Sequence, residues 1–403
     1  MINKKMLSLG KKSSVIREIF EYGKKRKNEI GSENVFDFSL GNPSVPAPEI
    51  VNETLKDLIN NTESTLLHGY TSAPGDIGVR TAIANYINET YGVSELPENI
   101  FMTCGAAASL TISLNALLNK GEEVVVFAPF FPEYRVFIEK AGAVLVSVKS
   151  REEDFQPDFE KFEQAITEKT KAVIINSPNN PTGAVLSEET IVRLCSILQK
   201  KSDELEHPIY LISDEPYREL VYDEETKVPY ITKYYKNSIV CYSFSKSLSL
   251  PGERIGYVLV SSTADDVRDV FFAVCGAARS LGYVCAPAMF QYLIPDALGK
   301  TGDIAIYKKN RDILYNTLTS YGYRVSKPDG AFYLFVKALE PDANQFCERA
   351  KKYELLLVPS DDFDYEGYVR ISYCVSTEQI ERSLSSFEKL YLEYAEKEVF
   401  KNE

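Results

Sequence analysis

The sequence predicts an α/β protein: a large domain with a seven-stranded, mostly parallel sheet between helices, and a smaller α+β domain drawn from the two chain ends. Three observations point there. From Glu49 onward, short apolar runs of strand length alternate with stretches of helical periodicity, the pattern of repeated strand–helix–strand units. The helical stretches are long enough to serve as the crossovers that parallel strands require. After about Pro287 the alternation stops, and a helical region is followed by short strands and one closing helix.

In chain order, a basic, polar start leads into a helix expected from Lys11 to Lys27. Phe36 to Leu40 then runs into the turn Gly41-Asn42-Pro43 and the proline-punctuated stretch Val45 to Pro48, which reads as a connecting loop. The expected strands of the large sheet are Ile100–Thr103, Glu123–Phe127, Val144–Val148, Ala172–Asn176, Ile209–Ser213, Ile239–Ser243 and Tyr257–Val260. Helical periodicity is clear over Gly105–Leu118, Ser187–Lys200 and Asp265–Ser280. Beyond Pro287, strands are expected at Ala331–Val336, Glu354–Val358 and Tyr368–Ser372, with a last helix from Ser376 to about Glu396. These boundaries divide the chain into a large domain, residues 49–286, and a small one, residues 1–48 with 287–403. With no internal repeat and no low-complexity linker, the two are expected to pack closely.

Composition narrows the function. The chain has 403 residues, and 45 Lys+Arg against 58 Asp+Glu leave a net charge of −13, which argues against a nucleic-acid partner. No apolar run approaches the ~18 residues of a membrane span, and the basic start lacks the apolar stretch of a signal peptide, so a cytoplasmic protein is expected. The seven cysteines are odd in number, no two lie within four residues of each other, and several sit in apolar runs; they read as reduced core thiols. The two histidines, His68 and His207, stand apart without a ligand motif, so no metal site is expected.

In an open parallel sheet, ligands gather beyond the carboxyl ends of the strands. The unusual residues lie at those ends: Cys104-Gly105-Ala106-Ala107, Pro129-Phe130-Phe131, Asn176 through Gly183, Asp214-Glu215-Pro216-Tyr217 and Ser243-Phe244-Ser245-Lys246. A lysine at such an edge can be desolvated, which lowers its pKa and makes its amine a nucleophile toward carbonyls. Ser243 and Arg254 beside Lys246 suit a phosphate, since arginine offers a bidentate fork. Gly105 opens a helix directly after a strand, where free amides and the helix dipole favour an anion. Asp214 ends an apolar strand, and an ionised carboxylate there needs a cationic partner.

The ordered set Ser-Pro-Asn-Asn-Pro-Thr-Gly at 177–183, Asp214 with Tyr217, Ser243-x-Ser245-Lys246 with Arg254, and Arg370 in Val-Arg-Ile-Ser resembles the class I/II aminotransferases of pyridoxal-phosphate fold type I, the aspartate aminotransferase-like enzymes. The resemblance runs from Gly41 through Tyr70 and Pro74-Gly75 to Arg370. It implies pyridoxal 5′-phosphate as cofactor, held as an imine on Lys246, which also moves the substrate Cα proton. It further implies that Asp214 pairs with the pyridine nitrogen, and that Asn180 and Tyr217 hydrogen-bond the ring oxygen. Tyr134 would lie behind the aspartate, and Phe131 would stack on the ring. Gly105, Ala106, Ser243 and Arg254 would take the phosphate, with Tyr70 reaching in from a second subunit, which makes the protein a homodimer with shared sites. Arg370 would grip the substrate α-carboxylate, with Asn180 and the backbone at Gly41.

The activity so implied is transfer of an amino group from an L-amino acid to a 2-oxo acid. Alternatives on the same scaffold are a carbon–sulfur β-lyase, a decarboxylase, or a non-catalytic effector-binding protein; the last is disfavoured because Lys246 and Asp214 are both present. One departure bears on specificity. A bacterial subgroup preferring dicarboxylates carries a lysine just after the glycine pair of the phosphate helix, and this chain has Ala107 there. With the apolar Phe130 and Phe131 nearby, neutral or apolar donors are expected.

Overall fold

The computed structural model describes residues 2–11 and 15–399. Helices cover Lys4–Lys11 and Val15–Ile30. The helix expected from Lys11 to Lys27 is thus described from Val15 on, and residues 12–14 lie outside the described residues.

The strands are β1 Phe36–Asp37, β2 Ile100–Thr103, β3 Glu123–Ala128, β4 Val144–Lys149, β5 Thr170–Asn176, β6 Tyr210–Asp214, β7 Ser238–Ser243, β8 Gly256–Val260, β9 Val325–Ser326, β10 Tyr333–Lys337, β11 Leu355–Leu356, β12 Val358–Pro359 and β13 Tyr368–Ser372. A seven-stranded sheet has the order β2-β8-β7-β6-β5-β3-β4. All neighbours are parallel except β8, which runs antiparallel to both β2 and β7. The expected α/β architecture with a mostly parallel central sheet is therefore the one observed.

The inner strands read as mostly apolar runs because both faces are covered, while the edge strand β4 is largely exposed. Alternate residues go to opposite cores: Ile100, Met102, Val173, Leu211 and Val240 to one, Phe101, Val124, Ala172, Ile212 and Cys241 to the other. Helices Ile77–Tyr91 and Glu188–Leu205 close the first face through Ile83 and Leu194. Helices Ala106–Leu117 and Val267–Leu281 close the second through Leu114 and Val274. Among the described residues no helix is long and apolar enough to cross a membrane.

A third core joins the two ends of the chain, with Phe36, Phe38 and Val45 packed among Leu314, Phe346, Ile371 and Phe387. Its sheet has the order β12-β13-β10-β9, antiparallel throughout. The single strand expected at Glu354–Val358 is two. Glu354, at φ +60°, ends a short 3-10 turn, β11 pairs in parallel with β1, and the chain then passes through Leu357 to the other sheet as β12. The segment thus serves two sheets, which an unbroken apolar run does not reveal.

Candidate active site

The carboxyl ends of β2, β3, β5, β6 and β7 open on a single cavity of about 280 Å³. Among the residues singled out from the sequence, Gly41, Ala106, Phe131, Asn180, Asp214, Tyr217, Ser243, Lys246, Arg254 and Arg370 line it.

Asp214 is the last residue of β6, and neighbours on both sides leave it only 5% exposed. Tyr134, from the helix Glu133–Lys140, donates its hydroxyl to Asp214 Oδ2 at 2.5 Å. Asn176, at the end of β5, donates to the Asp214 backbone carbonyl at 2.8 Å. Oδ1 is buried and has no hydrogen-bond partner. Burial pushes the carboxyl up to about 7, against the lowering effect of the Tyr134 bond. A buried carboxyl on the cavity lining with one oxygen unpartnered is a receptor for a cation or a proton donor.

Lys246 lies on the one-turn helix Phe244–Ser247 that follows β7, with the Ser243 hydroxyl accepting from the Ser245 amide at the turn's start. Its ammonium donates to the Gly41 carbonyl at 2.6 Å and stands 5.6 Å from the centre of the Phe332 ring. Burial first, then Arg254 and Arg370, bring its pKa down to about 8, so a fraction of free amine is present at neutral pH.

Arg254 reaches back across the cavity floor to the Cys104 carbonyl at 3.1 Å and the Pro251 carbonyl at 3.0 Å. It does so from a backbone φ of +55°, a region costly for a side-chain-bearing residue. Gly105, at φ +85°, caps the helix Ala106–Leu117. A Cβ there would come within 2.7 Å of an Arg254 Nη, so glycine is required for the guanidinium to lie against the helix start. The helix start after Gly105, Ser243 and a guanidinium together suit an anion.

Arg370, on β13, is 2% exposed. It donates to Asn180 Oδ1 at 3.1 Å and to the Ser39 carbonyl, and lies 4.7 Å from the Tyr333 ring centre. Its Nε is buried and has no hydrogen-bond partner, and burial lowers its pKa. Tyr217 and Tyr333 share a hydroxyl–hydroxyl bond of 2.8 Å, and burial holds the Tyr217 phenol neutral. A Cβ on Gly41 would fall 2.1 Å from the Tyr333 hydroxyl, so the loop approaches this pair only as glycine. Three cations and one carboxyl in a partly apolar cavity leave an excess of positive charge that suits two anionic groups, one at each arginine.

Tyr70 is not among these residues. It is 98% exposed, on a turn held by Gly75 N to Ser72 O at 2.8 Å and by Gln291 Nε2 to Thr71 Oγ1 at 3.2 Å. Phe130 does not line this cavity either; it is 2% exposed and packs against Tyr134 in the sheet core, while Phe131 lines the cavity. Several residues that touch the site carry no sequence signal: Tyr333 is one tyrosine among 26, Ser39 acts through its carbonyl, and Ile16 comes from a helix far from any motif.

A family model described as aminotransferase class I and II matches residues 33–387. The aspartate aminotransferase of Thermotoga maritima is 33% identical over 361 residues, 88% of this chain and 91% of that one. Among solved structures, an amino transferase from Eubacterium rectale is 56% identical with a TM-score of 0.96, covering 98% of this chain and 99% of that one. The Thermus thermophilus aspartate aminotransferase with maleate is 26% identical with a TM-score of 0.85, covering 97% and 99%.

Proposed function

The chain belongs to the class I and II aminotransferases and moves an amino group from an L-amino acid to a 2-oxo acid, and from that premise we propose that the cavity at the strand ends is the site of this transfer, with pyridoxal 5′-phosphate as cofactor. The observation that carries the proposal is Asp214, whose buried Oδ1 has no hydrogen-bond partner and which lines the same cavity as Lys246, Arg254 and Arg370. The residues fit the cofactor: a carboxylate for the ring nitrogen, Phe131 for a ring face, Asn180 and Tyr217 for the ring oxygen, an amine for the aldehyde, and Gly105, Ala106, Ser243 and Arg254 for the phosphate.

When bound, the cofactor supplies an electron sink for the pair released as the Cα–H bond breaks. Asp214 would hold the ring nitrogen, keeping a positive charge there. Lys246, as free amine at its lowered pKa, takes the proton from Cα and returns it, a role that needs a base near the operating pH. The Gly41 carbonyl holds that amine in place while Arg370 and Asn180 fix the carboxylate, so that Cα is oriented toward Lys246.

Three further readings belong to the proposal. Residues 49–286 are the cofactor domain and residues 1–48 with 287–403 the small domain. The protein is a homodimer in which Tyr70, an aromatic presented almost fully exposed on a braced turn, completes the phosphate cup of a second copy. A cytoplasmic setting suits its seven free thiols.

The test is a spectral half-reaction. The cofactor-loaded protein mixed with one amino acid should lose the aldehyde-form absorption and yield one equivalent of 2-oxo acid, and an added 2-oxo acid should restore the spectrum. Release of ammonia with continuous turnover of a single substrate would instead identify a lyase.

A further inference from the structure

The space next to the substrate site bears on which side chain the donor carries. The large apolar side chains that line the cavity include Ile16, Leu40, Leu110 and Phe131. Three of these, Ile16, Leu40 and Phe131, also line an adjoining cavity of about 610 Å³. The two spaces share an apolar wall. Leu40 precedes Gly41, whose carbonyl holds Lys246, and Phe131 packs edge-on against Tyr134 with centroids 5.7 Å apart, so both are tied to the reacting groups. Ile16 and Phe20 are four residues apart on the helix Val15–Ile30 and both line the adjoining cavity, as one helix face allows.

The charged groups of that outer space are Arg17, Glu21, Glu133 and Asp362, three carboxylates against one guanidinium. In the inner cavity Ala107 is neutral, and Lys246, Arg254 and Arg370 are engaged with Gly41, with Cys104 and Pro251, and with Asn180 and Ser39. A second carboxylate on the substrate would have to pass an apolar wall and end in an acidic field. An apolar side chain meets neither cost and gains by leaving water.

We infer that the enzyme takes large neutral amino acids, apolar or aromatic and of leucine to phenylalanine size, and that Ile16 and Phe20 are specificity-determining residues. This rests on the aminotransferase reading and names its substrate class. The experiment compares kcat/KM of the cofactor-loaded protein in the half-reaction with L-phenylalanine, L-leucine, L-alanine, L-aspartate and L-glutamate. Phenylalanine or leucine should exceed both dicarboxylates by about tenfold or more. Ile16→Ala should lower the phenylalanine-to-alanine ratio about tenfold, from the lost apolar contact; general damage to the fold would lower both donors together. Without turnover, calorimetry should find unreactive 3-phenylpropanoate bound about tenfold more tightly than succinate. Aspartate or glutamate surpassing every neutral donor would overturn the inference, as would a ratio unchanged in Ile16→Ala or tighter binding of succinate. Binding of 3-phenylpropanoate with no amino acid converted would overturn the aminotransferase reading instead.

Discussion

Asp214 offers the sharpest perturbation, because its electrostatic position can be read without substrate. Its carboxyl stands at about 7 in the folded protein against an ordinary 3.8. A group raised on folding stabilises the native state fully below the unfolded value, and this contribution is lost as pH rises through the folded one. For Asp214 the loss therefore runs from about pH 4 to about pH 7, and little changes above that. Between about pH 5 and about pH 8, some two pH units of this window are crossed, at ~1.4 kcal/mol each, or on the order of 3 kcal/mol. Asp214→Asn keeps an acceptor for the Tyr134 hydroxyl and removes the titration. Denaturant unfolding of cofactor-free wild-type and Asp214→Asn proteins at the two pH values should show the wild type losing about 3 kcal/mol more than the variant. With pyridoxal phosphate bound, a cationic ring nitrogen at Oδ1 should keep the carboxyl ionised, and the difference should shrink. Parallel pH dependences in the cofactor-free proteins would refute the claim that Oδ1 is buried and unpartnered.

Arg370→Lys replaces a planar fork by a point charge, and losing one charge-assisted hydrogen bond of ~1.5–3 kcal/mol should raise KM for amino acids roughly 10- to 100-fold in steady-state assays; an unchanged KM would remove Arg370 from the carboxylate site. Gly41→Ala would set a methyl 2.1 Å from the Tyr333 hydroxyl, so it should displace that ring, break the bond to Tyr217 and lower both Tm and amino-acid affinity. An unaltered Tm and KM would contradict this. Tyr70→Phe should weaken cofactor binding by about 0.5–3 kcal/mol in equilibrium titrations. Mixed with inactive Lys246→Ala under proven subunit exchange, the Tyr70 variant should recover activity, because one site of each heterodimer carries both native residues; no recovery would confine Tyr70 to its own chain.

The strand ends are legible in the sequence because chemistry at the edge of a parallel sheet needs residue types that strands otherwise avoid: Asp214 after an apolar run, Lys246 after Ser243, and Gly105 where a helix begins. Their convergence follows from one topological fact, that β2, β3, β5, β6 and β7 point the same way. What stays hidden depends on long-range packing. Nothing local marks Leu357 as the point where the chain leaves one sheet for another, because both pairings suit the same apolar residues. Phe130 and Phe131 are adjacent and alike, and only the turn after β3 sends one into the core and the other to the cavity. Ile16 and Tyr333 enter the site through tertiary contacts made hundreds of residues apart, with no spacing to announce them. Tyr70 is the reverse case, marked by its Gly- and Pro-rich turn but facing outward in the single chain.

The central claim is that Lys246, and no other lysine, carries the cofactor. The direct measurement is borohydride reduction of the protein loaded with pyridoxal phosphate, followed by peptide mapping. A single modified peptide containing Lys246 is the predicted result, with no fixed label in Lys246→Ala. A label on a different lysine, or full labelling in Lys246→Ala, would contradict the account.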